Sequence, residues 1–259
     1  MKHVETSSAK DFFNTISGDY KKKYKPENAF HHYFFNERLA KATKNFILNH
    51  KKILDVGAGT GDLYDHVTSN FGETRYVATD VAAGMLENSL IPVENRFLGV
   101  IPNIVLPYDD FDNVFMLGVS TYLTKAEMSE HLRFFANNIK PEDGRIAITF
   151  TNKYSFDNLF RTLLKPLVKR LKNKETVLSQ EILIQKYTLT EVNTMLTNAG
   201  FELQKTEWLN HTIFPINLLF KKLSVKVALW IDGFSNNVLL SLFSSDFMVK
   251  ARLKKRKQG

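Results

Sequence analysis

The sequence predicts an α/β fold: a seven-stranded, mostly parallel sheet with helices on both faces, elaborated by helical cap insertions. Three observations carry this. Short β-rich runs alternate with helical stretches five times between about residues 52 and 150, and such alternation implies a parallel sheet covered on both sides. Two further β-rich runs, Phe201–Leu209 and Phe247–Leu253, bring the strand count to seven. Finally, 44% of the 259 residues are hydrophobic, enough for one well-buried domain, or one domain with an elaborated cap.

The elements follow in order. Residues 1–50 read as a helical lid, with the pattern Phe12-Phe13-x-x-Ile16-x-x-x-Tyr20-x-x-x-Tyr24 placing Tyr20 and Tyr24 on one helix face. Residues 51–259 form the main domain. Lys52–Val56 is a strand that ends at a glycine cluster, and Asp62–Asn70 is a helix with Leu63 and Val67 on one side. Arg75–Thr79 is the second strand, Met85–Ser89 lies in a short helix, Arg96–Val100 is the third strand and Asn113–Leu117 the fourth. Thr124-x-x-Glu127 is a capping box, and Met128, Leu132, Phe135 and Ile139 then recur at helical spacing until Pro141. Gly144–Phe150 is the fifth strand. The rhythm breaks over about residues 151–187, a basic and aromatic cap insertion. A second capping box, Thr188-x-x-Glu191, opens a helix carrying Val192, Met195, Leu196 and Ala199, which Gly200 closes. A second cap insertion, at about 210–245, is apolar and punctuated by lysines.

Composition excludes several chemistries. There is no cysteine, so disulfides, thiolate catalysis, Cys-ligated zinc and iron–sulfur clusters are ruled out, and no metal is expected. No apolar stretch follows Met1. The two longest uncharged runs, Trp208–Phe220 and Gly233–Ser245, have 13 residues each, short of the roughly 20 a membrane-spanning helix needs. A soluble, cytoplasmic protein is expected. Of the formal +8, six charges belong to Lys250, Arg252, Lys254, Lys255, Arg256 and Lys257, leaving +2 for the other 249 residues. Two further basic clusters are Lys21-Lys22-Lys23-Tyr24-Lys25 and the stretch from Arg161 to Lys174. Solvated faces, nucleic acid, an anionic membrane surface or a phosphorylated substrate all suit such charge, so it identifies no partner.

The most informative stretch is Ile53-Leu54-Asp55-Val56-Gly57-Ala58-Gly59-Thr60-Gly61-Asp62. An apolar strand leads through an acidic residue to three glycines at alternate positions and then a helix. Glycine there permits sharp backbone angles and close approach of a ligand, at the carboxyl edge where open α/β sheets bind ligands. The dinucleotide pattern G-x-G-x-x-G is not met, because the third glycine comes one residue early, and no Lys-Ser/Thr pair makes a phosphate loop. Asp80, at the end of the second strand, is placed to accept hydrogen bonds from both hydroxyls of a ribose or to cap the helix after it.

Leu54-Asp55-Val56-Gly57-Ala58-Gly59-Thr60-Gly61 resembles the first motif of class I S-adenosylmethionine-dependent methyltransferases, which have a Rossmann-like fold. Asp80-Val81-x-x-x-Met85-Leu86 resembles that family's ribose-binding segment, Phe111–Val119 its fourth-strand motif, and Ile139-Lys140-Pro141-x-x-Gly144 its turn into the fifth strand. The similarity covers about residues 50–150. It implies S-adenosyl-L-methionine as cofactor and S-adenosyl-L-homocysteine as product. Gly57, Ala58 and Gly59, with Gly61 closing the turn, would lie against its methionine and ribose parts. Asp55 would orient the amino end, Asp80 would bind the ribose, Val81 and Met85 would contact the adenine, and Leu117, Gly118 and Tyr122 would line the wall near the sulfonium. The N-terminal pattern resembles the aromatic lid of small-molecule and quinone-type members, which adds Tyr20 and Tyr24 to the cofactor side. One departure stands out. Many members carry an acid after the third strand for the adenine amino group, and Leu98-Gly99-Val100-Ile101-Pro102-Asn103 has none. A backbone carbonyl, Asn103 or a looser hold would replace it.

Methyl transfer from a sulfonium needs alignment and exclusion of water above all, and a hydroxyl acceptor also profits from a general base. His211, just after the sixth strand, and the pair His31 and His32 beside Phe30, Tyr33, Phe34 and Phe35 are the candidates. His131, inside the helix after Thr124, is expected to face solvent. Phe214–Leu223, apolar with a cationic edge, suits a helix at a membrane interface or over a greasy acceptor, or a cap helix packed on the sheet. The expected reaction is methylation of a small molecule, on a hydroxyl of a sugar, quinone or lipid-linked acceptor. An RNA or protein methyltransferase using the basic clusters and a non-catalytic cofactor-binding protein are the alternatives. Nucleic acid is disfavoured, since neither an Asn/Asp-Pro-Pro-aromatic tetrad nor an RNA-binding module is present.

Overall fold

The computed structural model describes residues 4–160, 163, 184–211, 220–234 and 238–254. The basic cluster 161–174 apart from residue 163, most of the first cap insertion, residues 212–219 and 235–237 of the second and the tail after Lys254 lie outside the described residues.

The chain opens with α1 (Val4–Ile16), a 3-10 helix (Ser17–Tyr24) and α2 (Ala29–Thr43). Then come β1 (Lys52–Val56), α3 (Asp62–Phe71), β2 (Arg75–Asp80), α4 (Ala83–Glu87), β3 (Arg96–Leu98), β4 (Asn113–Met116), α5 (Lys125–Asn138) and β5 (Arg145–Thr151). The last elements are α6 (Leu189–Asn198), β6 (Phe201–His211), α7 (Lys221–Asp232) and β7 (Ser244–Leu253). The seven strands form one sheet in the order β3-β2-β1-β4-β5-β7-β6. β1 to β5 pair in parallel, and β7 runs antiparallel to both of its neighbours, so the sheet is mostly parallel.

Both faces are covered, which is why the central strands read as unbroken apolar runs rather than alternating ones. Along β1, Leu54 and Val56 point to the face packed by Met128, Leu132 and Phe135 of α5 and by Val192 and Leu196 of α6. Ile53 points to the other face, with Phe35 and Leu39 of α2 and Leu63 and Val67 of α3. Both predicted capping boxes form, with Thr124 and Thr188 each exchanging hydrogen bonds with the glutamate three residues on.

Two departures from expectation concern the site. The aromatic pattern of the lid does not continue as one α-helix: α1 ends at Ile16 and tightens into the 3-10 helix. Gly18 at this junction favours such a break. The lid is tied to the sheet edge, where the Gly84 N–H of α4 donates to the side-chain oxygen of Asn14 at 3.0 Å. Secondly, β6 and β7 are longer than their β-rich cores and stay paired from Phe201–Leu253 to His211–Ser244. His211 is therefore the last residue of a strand and not part of the following loop. The first insertion begins and ends at one place: Tyr187 N–H donates to Thr151 O at 2.9 Å, and Gln185 N–H to Thr121 O at 2.8 Å.

Candidate active site

A cavity of about 600 Å³ lies over the carboxyl ends of β1, β2 and β4, roofed by α1 and the 3-10 helix. That volume is within the usual range for a small-molecule or cofactor site. Its floor is the glycine turn. Gly57 has φ of +70°, and a Cβ there would lie 2.2 Å from Val119 Cγ2, so only glycine fits both the backbone angle and the space. Gly118, after β4, has φ of +78° and is closely approached by the Arg38 guanidinium, 2.8 Å from where a Cβ would sit.

Asp80 ends β2 and belongs to both the turn and the cavity. Its Oδ2 accepts from Gly59 N–H and its Oδ1 from Ala82 N–H, each at 2.9 Å. Burial pushes its carboxyl up from the usual range, and the Ala82, Gly59 and Val81 N–H groups work against that rise. Each oxygen retains a lone pair that a ligand hydroxyl could use, so bracing the turn does not use up the carboxylate.

Asp55 behaves differently. Its Oδ2 accepts from the Tyr76 hydroxyl at 2.7 Å, it is buried, and it does not line the cavity. Desolvation drives its pKa up to about 7, the Tyr76 hydrogen bond opposes this, and the Asp80 and Asp62 charges add to it. It sits on the α2–α3 face of the sheet because β1 alternates and Asp55 shares the parity of Ile53. Ala58 and Gly61 also lie outside the cavity wall: Gly61 N–H donates to Ala58 O at 3.0 Å and closes the turn behind it.

The remaining expected cofactor-side residues, Gly59, Val81, Met85, Leu117, Tyr122, Tyr20 and Tyr24, line the cavity with Gly57, Gly118 and Asp80. The tyrosine rings are 5.3 Å apart although the helix between them is 3-10, and Phe13 packs edge-on against both Tyr20 and Tyr122. Burial first, and Tyr24 beside it, raise the Tyr20 hydroxyl well above its ordinary range. Burial likewise pushes Tyr122 up to about 12. Both are neutral donors at physiological pH.

The three histidines expected to serve as base do not line the cavity. His211 is buried at the end of β6, with Ser244 Oγ 2.9 Å from Nδ1 and Asp232 Oδ1 3.6 Å from Nε2. It belongs to a staple between α2, β6 and α7, in which Lys41 bonds Glu37, Asp232 and the Trp208 carbonyl. Glu37, His211 and Asp232 place donor atoms within 4.8 Å of one another, and the Lys41 ammonium bonds both carboxylates there. His32 donates from Nδ1 to Tyr24 O at 2.9 Å, and its Nε2 lies 3.1 Å from the Asn36 amide. Both ring nitrogens are thus used in bracing the lid. His31 stacks edge-on against Phe30, on a part of α2 that does not reach the cavity.

Two more of its lining residues bear on the site: Arg38, which the sequence did not single out, and His131, set aside there as solvent-facing. Arg38 of α2 reaches the cavity between the faces of Phe34 and Phe35, with its guanidinium carbon 5.6 and 5.0 Å from the ring centroids, and its buried Nε has no hydrogen-bond partner among the described residues. The only sequence signal was an arginine three and four residues beyond two phenylalanines on a helix. His131, expected to face solvent, is 4% exposed. It lines both this cavity and a smaller one of about 310 Å³ beside it, together with Val100, Ile101 and Leu123. Its Nδ1 is 2.8 Å from the Glu127 carbonyl. A carbonyl only accepts, so Nδ1 carries the proton and Nε2 presents a lone pair; burial lowers the ring's pKa and keeps it neutral.

Residues 54–146 match the family described as Methyltransferase domain. No curated protein sequence matches the chain. Among solved structures, magnesium protoporphyrin IX methyltransferase of Synechocystis with bound S-adenosylhomocysteine is similar at a TM-score of 0.60 and 14% identity, over 96% of this chain and 100% of that one. A possible histamine N-methyltransferase of Thermotoga maritima gives 0.59 and 14%, over 95% and 99%. An S-adenosylmethionine-dependent methyltransferase of Archaeoglobus fulgidus gives 0.56 and 16%, over 85% and 93%. At these identities the likeness is one of fold. Sheet order, glycine turn and matched domain together give this chain the fold of the class I S-adenosylmethionine-dependent methyltransferases.

Proposed function

We propose that the protein transfers the methyl group of S-adenosylmethionine to a hydroxyl of a small, largely apolar acceptor of the quinol or lipid-linked kind. The observation that carries this is the cavity itself. It joins Asp80 and the glycine turn to an aromatic roof of Phe12, Phe13, Tyr20, Tyr24 and Tyr122, which suits a ring or chain better than a sugar or a polynucleotide.

The strand order supports the following arrangement of the cofactor. From the end of β3 to the end of β4 is three strand spacings, about 14 Å. The adenine lies at the β3 end, against Val81, Met85 and Val100, and the ribose bonds Asp80. His131 Nε2 accepts from the adenine amino group, in the role of the acid that is missing after β3. The methionine part runs over Gly57 and Gly59 to Arg38, whose guanidinium pairs with its carboxylate. Asp55 acts from behind the turn, through its charge, on the amino end. The sulfonium then lies near Leu117 and Gly118, facing Tyr20 and Tyr122.

With S-adenosylmethionine bound, its activated methyl supplies the leaving-group chemistry, and the protein aligns the acceptor and excludes water. No histidine lines the acceptor end among the described residues, which favours a hydroxyl acidic enough to ionise itself, as a quinol or phenol is. Transfer of label from methyl-labelled S-adenosylmethionine to a panel of quinols, catechols, sugars and RNA tests this. Labelling of quinols or phenols is expected; labelling of RNA alone, or S-adenosylhomocysteine binding without transfer to any acceptor, would overturn it.

A further inference from the structure

The helix α7 is oriented against the usual rule. An amphipathic helix normally buries its largest apolar side chains. Here the residues turned inward onto α2 and β6 are Ser224, Ala228 and Ile231, while larger ones face out. Phe220 is 58% exposed, Leu223 52%, Val227 37%, Trp230 65% and Phe234 55%. Their spacing of three and four residues sets them in one row along the helix. Trp230 and Phe234 are in edge-to-face contact at 5.3 Å, which holds the two largest rings together at one end of the row. Lys222 and Lys226, one turn apart and both exposed, run alongside it, and Lys221 is exposed at the helix start. The only acid of the helix, Asp232, is turned inward to Lys41 and His211.

We infer that this face of α7 docks the protein on an anionic lipid surface, with the Phe220–Leu223–Val227–Trp230–Phe234 row entering the interface and Lys222 and Lys226 meeting the headgroups. An exposed apolar row edged by lysines, with tryptophan and phenylalanine in it, has the composition of an interfacial helix, and a continuous exposed apolar strip of this kind marks an interaction site. Charge selects the occupant. Two lysines beside the row, with no outward acid on the helix, repel the same face of a second copy, whereas an anionic leaflet attracts each of them. Among the described residues no helix is long and apolar enough to cross a membrane, so the contact is lateral. This inference is independent of the acceptor reading and of the residues that line the cavity.

The test is co-sedimentation of the full chain with phosphatidylcholine vesicles made with and without phosphatidylserine. Binding is expected only with phosphatidylserine, weakened about fivefold by each of K222A and K226A and at least about tenfold by W230E or L223E. The fluorescence of Trp230 should shift to the blue on binding, and W230F should remove that shift. All five substitutions are at exposed positions, so unfolding temperature and S-adenosylhomocysteine affinity serve as controls and should stay unchanged. Equal binding by W230E and the unaltered chain would overturn the proposal. So would failure to bind vesicles together with concentration-dependent dimerisation that W230E abolishes, which would assign the row to a second copy.

Discussion

Replacing Asp80 by Asn isolates the ribose contact from the rest of the site. In the structure the two carboxylate oxygens each take one backbone N–H, from Gly59 and Ala82, and each keeps a lone pair toward the cavity. Asparagine preserves shape and one acceptor but removes the charge. A hydrogen bond to a charged group contributes about 1.5–3 kcal/mol and a neutral one about 0.5–1.5. Two ribose hydroxyls therefore lose about 2–3 kcal/mol together, a fall in affinity of roughly 30- to 150-fold. Calorimetric titration with S-adenosylhomocysteine reads this directly. Thermal unfolding without ligand separates it from damage to the turn, where one amide now faces an N–H. A 2′-deoxyribose analogue completes the cycle, since it lacks one donor and should be penalised less by the substitution. Affinity within threefold of the unaltered protein, with the fold intact, would remove Asp80 from the ribose site and leave it as the brace of the turn alone.

Asp55→Asn tests the buried carboxyl by pH. Its folded pKa, about 7, lies above its ordinary 3.8, so the stability it contributes is present in full below about pH 4 and lost as pH rises through 7. Urea unfolding should show the variant gaining on the unaltered protein between those values, by up to about 4 kcal/mol; parallel profiles would refute the assignment. Gly57→Ala should cost about 2–5 kcal/mol of stability and most cofactor affinity, from the left-handed backbone and the Val119 overlap. Adding Val119→Ala should restore part of both, and no rescue would mean the overlap is not the cause. His131→Leu should weaken S-adenosylhomocysteine binding about 3- to 10-fold but leave binding of the inosine analogue, which has no amino group, unchanged. Equal losses for both ligands would place His131 away from the adenine edge. Arg38→Met should weaken S-adenosylhomocysteine binding more than tenfold and spare 5′-methylthioadenosine, which lacks the carboxylate; equal losses for both would reassign Arg38.

Much of this protein is legible in one dimension because its determinants are local. The glycine turn, both capping boxes and the β–α alternation each depend on a few neighbouring residues, and so the sheet, the cofactor edge and the position of Asp80 follow from sequence. Strand parity was also available: it separates Asp55 from the cavity, since alternate residues of β1 face opposite sides, but a motif read as a unit conceals it. His131 shows a different limit. The helix face it occupies packs against the β3–α5 side of the cavity, and helical spacing alone does not reveal that the solvent there is replaced by Ile101 and Leu123.

What only the tertiary structure decides comes from contacts between elements distant in sequence. Arg38 enters the cavity because α2 crosses the sheet beside Gly118, some 80 residues away in the chain. His211 leaves the list of bases because Lys41 and Asp232 meet it across α2, β6 and α7. The outward row of α7 arises in the same way: its periodicity says that the helix is amphipathic, and packing against α2 and β6 decides that the Ser224, Ala228 and Ile231 stripe is the buried one. Local propensity and motif spacing set the elements and the cofactor edge; packing, which sums over the whole chain, sets which side chains the cavity and the surface finally hold.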